Sequence, residues 1–162
     1  MTGTVINVTS GSQAILTLGN TSAMAAPGGT NGLVVPLVQD ITVNATTGTT
    51  RYSTLDSTSS SAFTTTNENT VSLNMLIDED TFFGNSSLSA NPVAQLGLLT
   101  TSINKTEIEF SVAFEGNAST DYYVHGTGFI SGLSPSASMD QAVWITPMEI
   151  IVNGELTKAQ VS

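Results

Sequence analysis

Apolar and polar residues largely alternate over two long stretches of the chain. The clearest runs from Thr106 to Glu115, and a second covers Thr70 to Ile77. A period of two places alternate side chains on opposite faces of a strand, so both stretches are predicted strands with one core face. The predicted core-facing residues are Ile108, Phe110, Val112 and Phe114 in the first stretch, and Val71, Leu73, Met75 and Ile77 in the second.

Shorter patterns complete the predicted secondary structure. Residues 4–18 are typical of a hairpin, Leu33 to Val43 of a long strand with Pro36 at an edge or bulge, and Tyr122 to Ser131 of another strand. A single short helix is predicted after Asn91, since Asn caps helices well and proline suits the first helical position.

The last strand, Ala142 to Val152, is apolar on both faces. Trp144, Met148, Ile150 and Val152 share one face, and Val143, Ile145, Pro147 and Ile151 share the other. A strand buried on both sides needs a second layer or a neighbouring subunit. We therefore expect Val143, Ile145 and Ile151 to lie at a subunit interface.

Residues 44–69 are rich in Thr and Ser and contain few apolar side chains. A structureless loop of this length is uncommon in a compact domain and usually serves a function or is disordered. One interpretation is a flexible loop. The other is an extended arm at the tip of a hairpin, ordered by a neighbouring copy, with apolar anchors at Tyr52, Leu55 and Phe63.

Composition favours an all-β chain that forms one domain over residues 1–162. Only 10% of the 162 residues are charged, and the chain is rich in Ser, Thr, Asn and Gly instead. These residues favour strands and turns over helix interiors. The net charge of −10 argues against binding a nucleic acid through its phosphates, and the lack of cysteine excludes disulfides and thiol catalysis.

The candidate chemistry is weak. His125 is the sole histidine, and no serine lies in a nucleophile-elbow motif. Asp78-Glu79-Asp80 lacks the spacing of a calcium loop and is expected to be a solvated turn, and Glu107 and Glu109 to lie on an exposed face. We expect no enzyme, cofactor or metal site. The start of the sequence has no secretory signal, and no apolar run is long enough to cross a membrane.

The C-terminal third resembles the end of the tail tube proteins of long-tailed siphophages. Tyr123-Val124-His125-Gly126-Thr127-Gly128-Phe129-Ile130 leads to a Ser-rich link with Asp140, and a final strand ends at Val152-Asn153-Gly154. The polar arm around Arg51, Tyr52, Leu55, Asp56 and Phe63, with its two flanking strands and the single helix, also fits that layout.

The resemblance implies a β-sandwich or barrel-like fold with one short helix and a long hairpin arm. It implies that copies assemble into hexameric rings that stack into a tube in the virion tail, after synthesis in the host cytoplasm. The arm would reach the adjacent ring. Tail terminator, baseplate or tip, and tape measure proteins would be partners.

DNA would pass through such a tube without adhering. Glu107, Glu109 and Glu115 are candidates for an acidic lumen that repels phosphate. The alternative function is that of a capsid decoration or other β-rich virion surface protein, which would form discrete particles in place of rings and tubes.

Overall fold

A computed structural model describes residues 14–20, 25–27, 32–56, 58–87, 91–115 and 121–161. The predicted strand at residues 4–9 lies outside this part of the chain. The strands within it are β1 Ile15–Gly19, β2 Leu33–Val34, β3 Val38–Asn44, β4 Thr49–Tyr52, β5 Ser61–Thr64, β6 Thr70–Leu76, β7 Glu107–Ala113, β8 Tyr122–Ser131, β9 Ser136–Ser138, β10 Gln141–Val152 and β11 Thr157–Gln160. Two helices lie wholly within the described residues, α1 Glu79–Phe83 and α2 Pro92–Ile103.

Nine of these strands form one antiparallel sheet, in the order β2-β1-β7-β8-β10-β6-β3, with β11 beside β8 and β9 beside β10. β2 and β3 lie at opposite ends of this order, yet only residues 35–37 join them. Six inter-strand spacings of about 4.8 Å would put the edges of a flat sheet about 29 Å apart. Three connecting residues span about 14 Å at most, so the sheet is curled and its edges approach each other.

The curled sheet encloses one apolar core. One half contributes Leu16, Leu18, Ile108, Phe110 and Val112, and the other contributes Val71, Leu73, Met75, Met148 and Ile150. Val35 of the β2–β3 connection is also buried there, and its N–H donates to the Leu16 carbonyl at 2.9 Å. The fold is therefore mainly β and barrel-like, as the sequence predicted.

Helix α2 covers this core from one side through Val93 and Leu98. Asn91 caps it as predicted, because its side-chain oxygen accepts from the Val93 N–H at 3.0 Å. The Asn91 amide also donates to the Leu18 carbonyl of β1 at 3.2 Å, which fixes the helix to the sheet. The predicted helix is confirmed, although Gly97, at φ 79°, kinks it.

The expectation of a single helix is wrong, because α1 precedes α2. Asp78 caps α1 by accepting from the Thr81 N–H at 3.0 Å, and Glu79 and Asp80 occupy its first turn. Carboxylates are favourable at that position because their negative charge is attracted to the positive end of the helix dipole. The acidic stretch predicted as a turn is therefore a helix start.

The predicted continuous strand from Leu33 to Val43 is also wrong. It breaks at Val35-Pro36-Leu37, where Leu37 has a positive φ of 57°. Its first part pairs with β1 and its second with β6. The break transfers the chain from one edge of the curled sheet to the other, which local sequence pattern does not reveal.

The remaining strand predictions are largely confirmed. β8 has the predicted bounds, and β3 pairs with β6, which makes residues 45–69 the end of a long hairpin. Within β7 the core face is as predicted, but Ser111 and Ala113 on the other face are buried too. Phe114, predicted in the core, lies beyond the end of β7 and is exposed. β11 was not predicted.

Candidate assembly surfaces

The hairpin of β3 and β6 gives the sheet two different ends. At the arm end, β3 finishes at Asn44 and β6 begins at Thr70. At the opposite end, here called the base end, the N–H of Leu76 donates to the Leu37 carbonyl and that of Ile77 to the Trp144 carbonyl. Each end carries its own set of exposed side chains.

The arm, residues 45–69, is a second, two-stranded sheet. β4 pairs with β5 in a register that sets Thr50 opposite Phe63 and Arg51 opposite Ala62. Every residue of the two strands is exposed. A two-stranded hairpin is at best marginally stable alone in water. The arm therefore lacks the packing that normally holds such a sheet.

The two faces of the arm differ in chemistry. Tyr52 and Phe63 share one face, with ring centroids 6.1 Å apart and exposed fractions of 53% and 52%. Arg51 lies on the other face opposite the small Ala62, and Leu55 is fully exposed in the turn region. Within the described residues, the Arg51 guanidinium makes no hydrogen bond or ion pair. The arm thus presents three apolar side chains and one unpaired cation.

Hydrogen bonds join the arm to the main sheet at its stem. The Asn69 side-chain oxygen accepts from the Thr46 N–H at 3.0 Å, and the Asn69 carbonyl accepts from the Val152 N–H at 3.0 Å. Thr46 also donates from its hydroxyl to the Glu68 carbonyl. Asn69 is buried, so it is a structural anchor at the point where the arm leaves the sheet.

Asp56 lies near the turn of the arm. The side-chain hydrogen bond from Thr54, followed by a backbone hydrogen bond, lowers the pKa of the Asp56 carboxyl below its ordinary value. These bonds favour the ionised form. The Asp56 carboxyl is therefore ionised over a wider range of pH than that of an ordinary aspartate.

The outer face of β10 carries the predicted interface residues. Val143, Ile145 and Ile151 alternate along the strand, and Val143 and Ile151 are each 48% exposed while Ile145 is half-buried. Pro147 lies between them and is exposed. The opposite face packs Met148 and Ile150 into the core, so a strip of apolar surface remains outside the sheet.

The base end also exposes Leu37 and Trp144, in addition to Val143 of the outer strip. Their exposed fractions lie near one half, and that of Trp144 is 57%. In the sequence Trp144 shares a strand face with Met148 and Ile150, yet those two are buried and Trp144 is exposed. β10 has twelve residues and β6 has seven, so the first residues of β10 extend beyond the core. The difference in length between β10 and β6 is the signal that could have predicted the exposure of Trp144.

Acidic residues follow the hydrogen-bonding partner of Trp144 in the sequence. Ile77 bonds to Trp144, and Asp78 and Glu79 follow directly. Asp78 accepts from Thr81, and Asp80 accepts from the Asn85 amide at 3.2 Å. Glu79 is exposed, and its carboxylate makes no hydrogen bond or ion pair with the described part of the chain.

The predicted lumen residues do not form a single cluster. Glu107 and Glu109 lie on the outer face of β7, where the register through Phe129 and Ile151 leads to Thr70 at the arm end, and Glu107 accepts from the Asn153 amide at 2.7 Å. Glu115 lies past the other end of the strand. The described β7 and β8 residues include no Lys or Arg, and the nearest strand cation is Lys158 of β11, which pairs with Val124.

A groove of about 400 Å³ crosses the outer face of β3, β6 and β10. Asp40 and Glu149 contribute two carboxylates to its lining. The Asn74 amide donates to both Asp40 oxygens, at 2.9 and 3.1 Å. The groove is polar and open, and its carboxylates add to the negative surface of the sheet.

Candidate catalytic groups are not brought together. His125 lies on β8, opposite Ser111 of β7 and Thr157 of β11, with its ring against Tyr123 at 5.6 Å. Among the described residues, no three His, Asp or Glu side chains are arranged to hold a metal ion. The helices in that part of the chain are too short to cross a membrane.

Comparison with solved structures identifies the fold. A chain in the tail of an empty gene transfer agent particle, determined with C6 symmetry, superposes with a TM-score of 0.66 at 10% identity, covering 94% of this chain and 99% of that one. The SPP1 tail tube gives 0.62 at 12% identity, covering 94% and 80%. A chain of an extracellular contractile injection system sheath–tube complex gives 0.60 at 9% identity, covering 99% and 95%.

No protein-family model matches the sequence, and neither does any curated protein. The agreement with the three structures extends over nearly the whole chain at 9–12% identity. The chain therefore has the phage tail tube fold.

Proposed function

We propose that the protein is a structural subunit of a phage-type tail tube, in which copies form hexameric rings that stack into a hollow tube. The protein would be part of the virion tail and would have no catalytic role. Support comes from the fold, and the proposal of six copies rests on the C6 symmetry of the gene transfer agent tail.

The exposed arm is the observation that carries this proposal. A pair of four-residue strands with all eight residues exposed does not bury enough surface to offset the entropy of ordering it. Contact with another copy would supply the missing burial. Stacked rings provide such a contact for every subunit at once.

The outer strip of β10 is the proposed contact within a ring. Val143, Ile145 and Ile151 form a line of apolar side chains over eight residue steps, or about 26 Å at ~3.3 Å per residue. Such a strip is costly in water and favourable at an interface. Truncating Val143 or Ile151 to Ala would weaken ring formation and leave the core intact.

The negative charge has a role in this arrangement. With thirteen acidic residues and three basic ones, the subunit repels phosphate, and Glu107, Glu109 and Glu115 are the proposed lumen residues. DNA would then pass without adhering. The proposed partners are a terminator, a tip or baseplate and a tape measure protein at the ends and interior of the tube.

Negative-stain electron microscopy of the purified, concentrated protein tests the proposal. Tubes or six-fold rings with a central channel are the expected result. Uniform small particles at every concentration, with trimers in sedimentation analysis, would contradict it and favour a capsid decoration protein. Seeding with preformed tail tips separates a nucleation requirement from a true failure to polymerise.

A further inference from the structure

The connection between β10 and β11 begins with Asn153-Gly154, a pair of residues that can react with each other. In this reaction the backbone nitrogen of the second residue bonds to the side-chain carbon Cγ of the asparagine. Glycine follows asparagine at two positions in the chain, Asn31 and Asn153. Asn31 lies outside the described residues, whereas Asn153 and Gly154 lie within them.

The backbone nitrogen of Gly154 is free to approach the neighbouring side chain. Gly154 is exposed and has a positive φ of 97°, and no described residue lies within 4 Å of the place where its Cβ would be. Glycine adopts such φ values without strain, so the chain can rotate here. Within the described part of the chain, the Gly154 N–H donates no hydrogen bond. Nothing in that part therefore holds this nitrogen away from Asn153.

The hydrogen bonds that hold Asn153 lie at the surface. Its N–H donates to the Thr127 carbonyl at 2.8 Å, and its carbonyl accepts from the Thr127 hydroxyl at 3.0 Å. Its side-chain amide donates to a carboxylate oxygen of Glu107 at 2.7 Å. Asn153 and Glu107 are both exposed, so water competes for these bonds and they open readily. The side chain can then leave Glu107 and turn its Cγ toward Gly154.

We propose that Asn153 is a site of spontaneous deamidation. The Gly154 nitrogen loses its proton and bonds to Cγ of Asn153, and the Cγ–Nδ2 bond then breaks to release ammonia, which takes up the proton. Water opens the resulting cyclic imide at either of its carbonyl carbons, and the product is aspartate or isoaspartate. Overall, water is consumed and ammonia is released, with no oxidant and no metal.

The modification changes the contact between Glu107 and the β10–β11 connection. It replaces the donor amide of Asn153 with a carboxylate, so the 2.7 Å hydrogen bond to Glu107 becomes a contact between like charges. Isoaspartate also routes the main chain through the former side chain, which displaces the carbonyl that accepts from Thr127. A modified copy carries one more negative charge than the −10 of the unmodified chain. The contact between β7 and this connection therefore weakens as the protein ages.

Peptide mapping by mass spectrometry of the folded, full-length subunit tests the site. During incubation in mildly alkaline buffer, deamidation should accumulate at Asn153 ahead of Asn85. Asn85 is the internal reference, because its amide also donates to a carboxylate, that of Asp80 at 3.2 Å, but the residue after it is Ser86. Gly154→Ala should slow the modification of Asn153 roughly tenfold, because its Cβ restricts the left-handed backbone and hinders the nitrogen.

Substitutions on both sides of the contact test its consequence. Asn153→Asp should lower the folding equilibrium constant in urea unfolding roughly fivefold, because a hydrogen bond to a charged group becomes a like-charge contact. The same substitution combined with Glu107→Gln should cost less, since the glutamine amide can donate to the new carboxylate. Asn153→Gln is the matched control, because it keeps an amide but closes the larger imide ring more slowly, and it should resist deamidation.

This inference goes beyond the proposed tube function, and its measurements need no assembly. Modification of Asn153 only after unfolding in urea, or no faster than that of Asn85, would overturn the site. Equal losses from Asn153→Asp with Glu107 and with Glu107→Gln would overturn the like-charge contact. Subunits that deamidate at Asn153 but never form rings or tubes would refute the tube function and support this inference.

Discussion

Gly84 and Gly97 pack backbone against backbone at the junction of the two helices. Both have positive φ, 91° and 79°, and a Cβ on Gly84 would lie 2.7 Å from the Gly97 nitrogen. The N–H of the neighbouring Asn85 donates to the Ala94 carbonyl at 3.1 Å and holds the two segments together. The kink of α2 is thus set by contact with the end of α1.

Substitution of Gly97 by Ala should destabilise the protein by about 2–4 kcal/mol, because the left-handed backbone is strained and the new methyl meets backbone atoms. Thermal and urea unfolding measure the change. Gly154→Ala is the matched control, since Gly154 also has a positive φ, 97°, with open space around it. A loss of equal size in both variants would contradict the close packing.

Asn91→Ala should cost about 2–4 kcal/mol, because it removes the cap of α2 and leaves the buried Leu18 carbonyl without its donor. Asn91→Ser should restore part of the loss, since serine caps well but does not reach Leu18. Urea unfolding of the three proteins gives the comparison. Equal stability of the Ala and Ser variants would mean that the cap contributes little.

Amide protons of the arm should exchange rapidly in the free subunit and slowly in the assembly. The strands of the arm bury no side chain, so their hydrogen bonds open easily until a neighbour covers them. Hydrogen exchange by mass spectrometry measures the amides of residues 49–64. Leu73 and Met75 of β6, buried in the core, are the internal reference and should be protected in both states.

Thr54→Val should raise the pKa of Asp56 toward its ordinary value, because the hydroxyl hydrogen bond is the largest cause of the lowered pKa. A lowered pKa means that this bond stabilises the arm above the ordinary carboxyl pKa, and that the effect is lost as pH falls through the lowered value. Carboxyl carbon NMR titration gives both pKa values. Thr58→Val should leave the titration of Asp56 unchanged.

Replacing Glu107 and Glu109 by Lys should make assembled tubes retain DNA at low salt and release it at high salt, as phosphate contacts require. Wild-type tubes should release DNA at all salt concentrations. Filter binding of labelled duplex to sedimented tubes measures retention. Glu155→Lys controls for added positive charge, and equal retention by all three proteins would place the two carboxylates outside the lumen.

The strands found from sequence are those whose pattern is set locally. β6 and β7 alternate because each packs one apolar face on the core, and the cap at Asn91 is a local signal too. The break at Pro36 escaped prediction because it depends on the meeting of two distant sheet edges. Helix α1 escaped because five residues are too short to establish a helical period.

The surface residues were harder to predict than the core. The apolar outer face of β10 predicts Val143 and Ile151 at a subunit interface; both are exposed in the subunit, and the interface itself stays a prediction. The exposure of Trp144 does not follow from the sequence pattern, because it depends on the length of the neighbouring strand β6. The buried Ser111 was missed because its hydroxyl donates to the Ala25 carbonyl, 86 residues away in sequence.

The pairing of β1 with β7 joins Ile15 to Ala113, and the sheet is complete only when β10 adds to β6 and β8. The sheet therefore closes only after β10 has left the ribosome. The arm is synthesised some eighty residues before Val143 and Trp144. In the tube proposed above, a nascent subunit has its arm before it has the β10 strip that joins it to a ring, so rings grow only from finished chains.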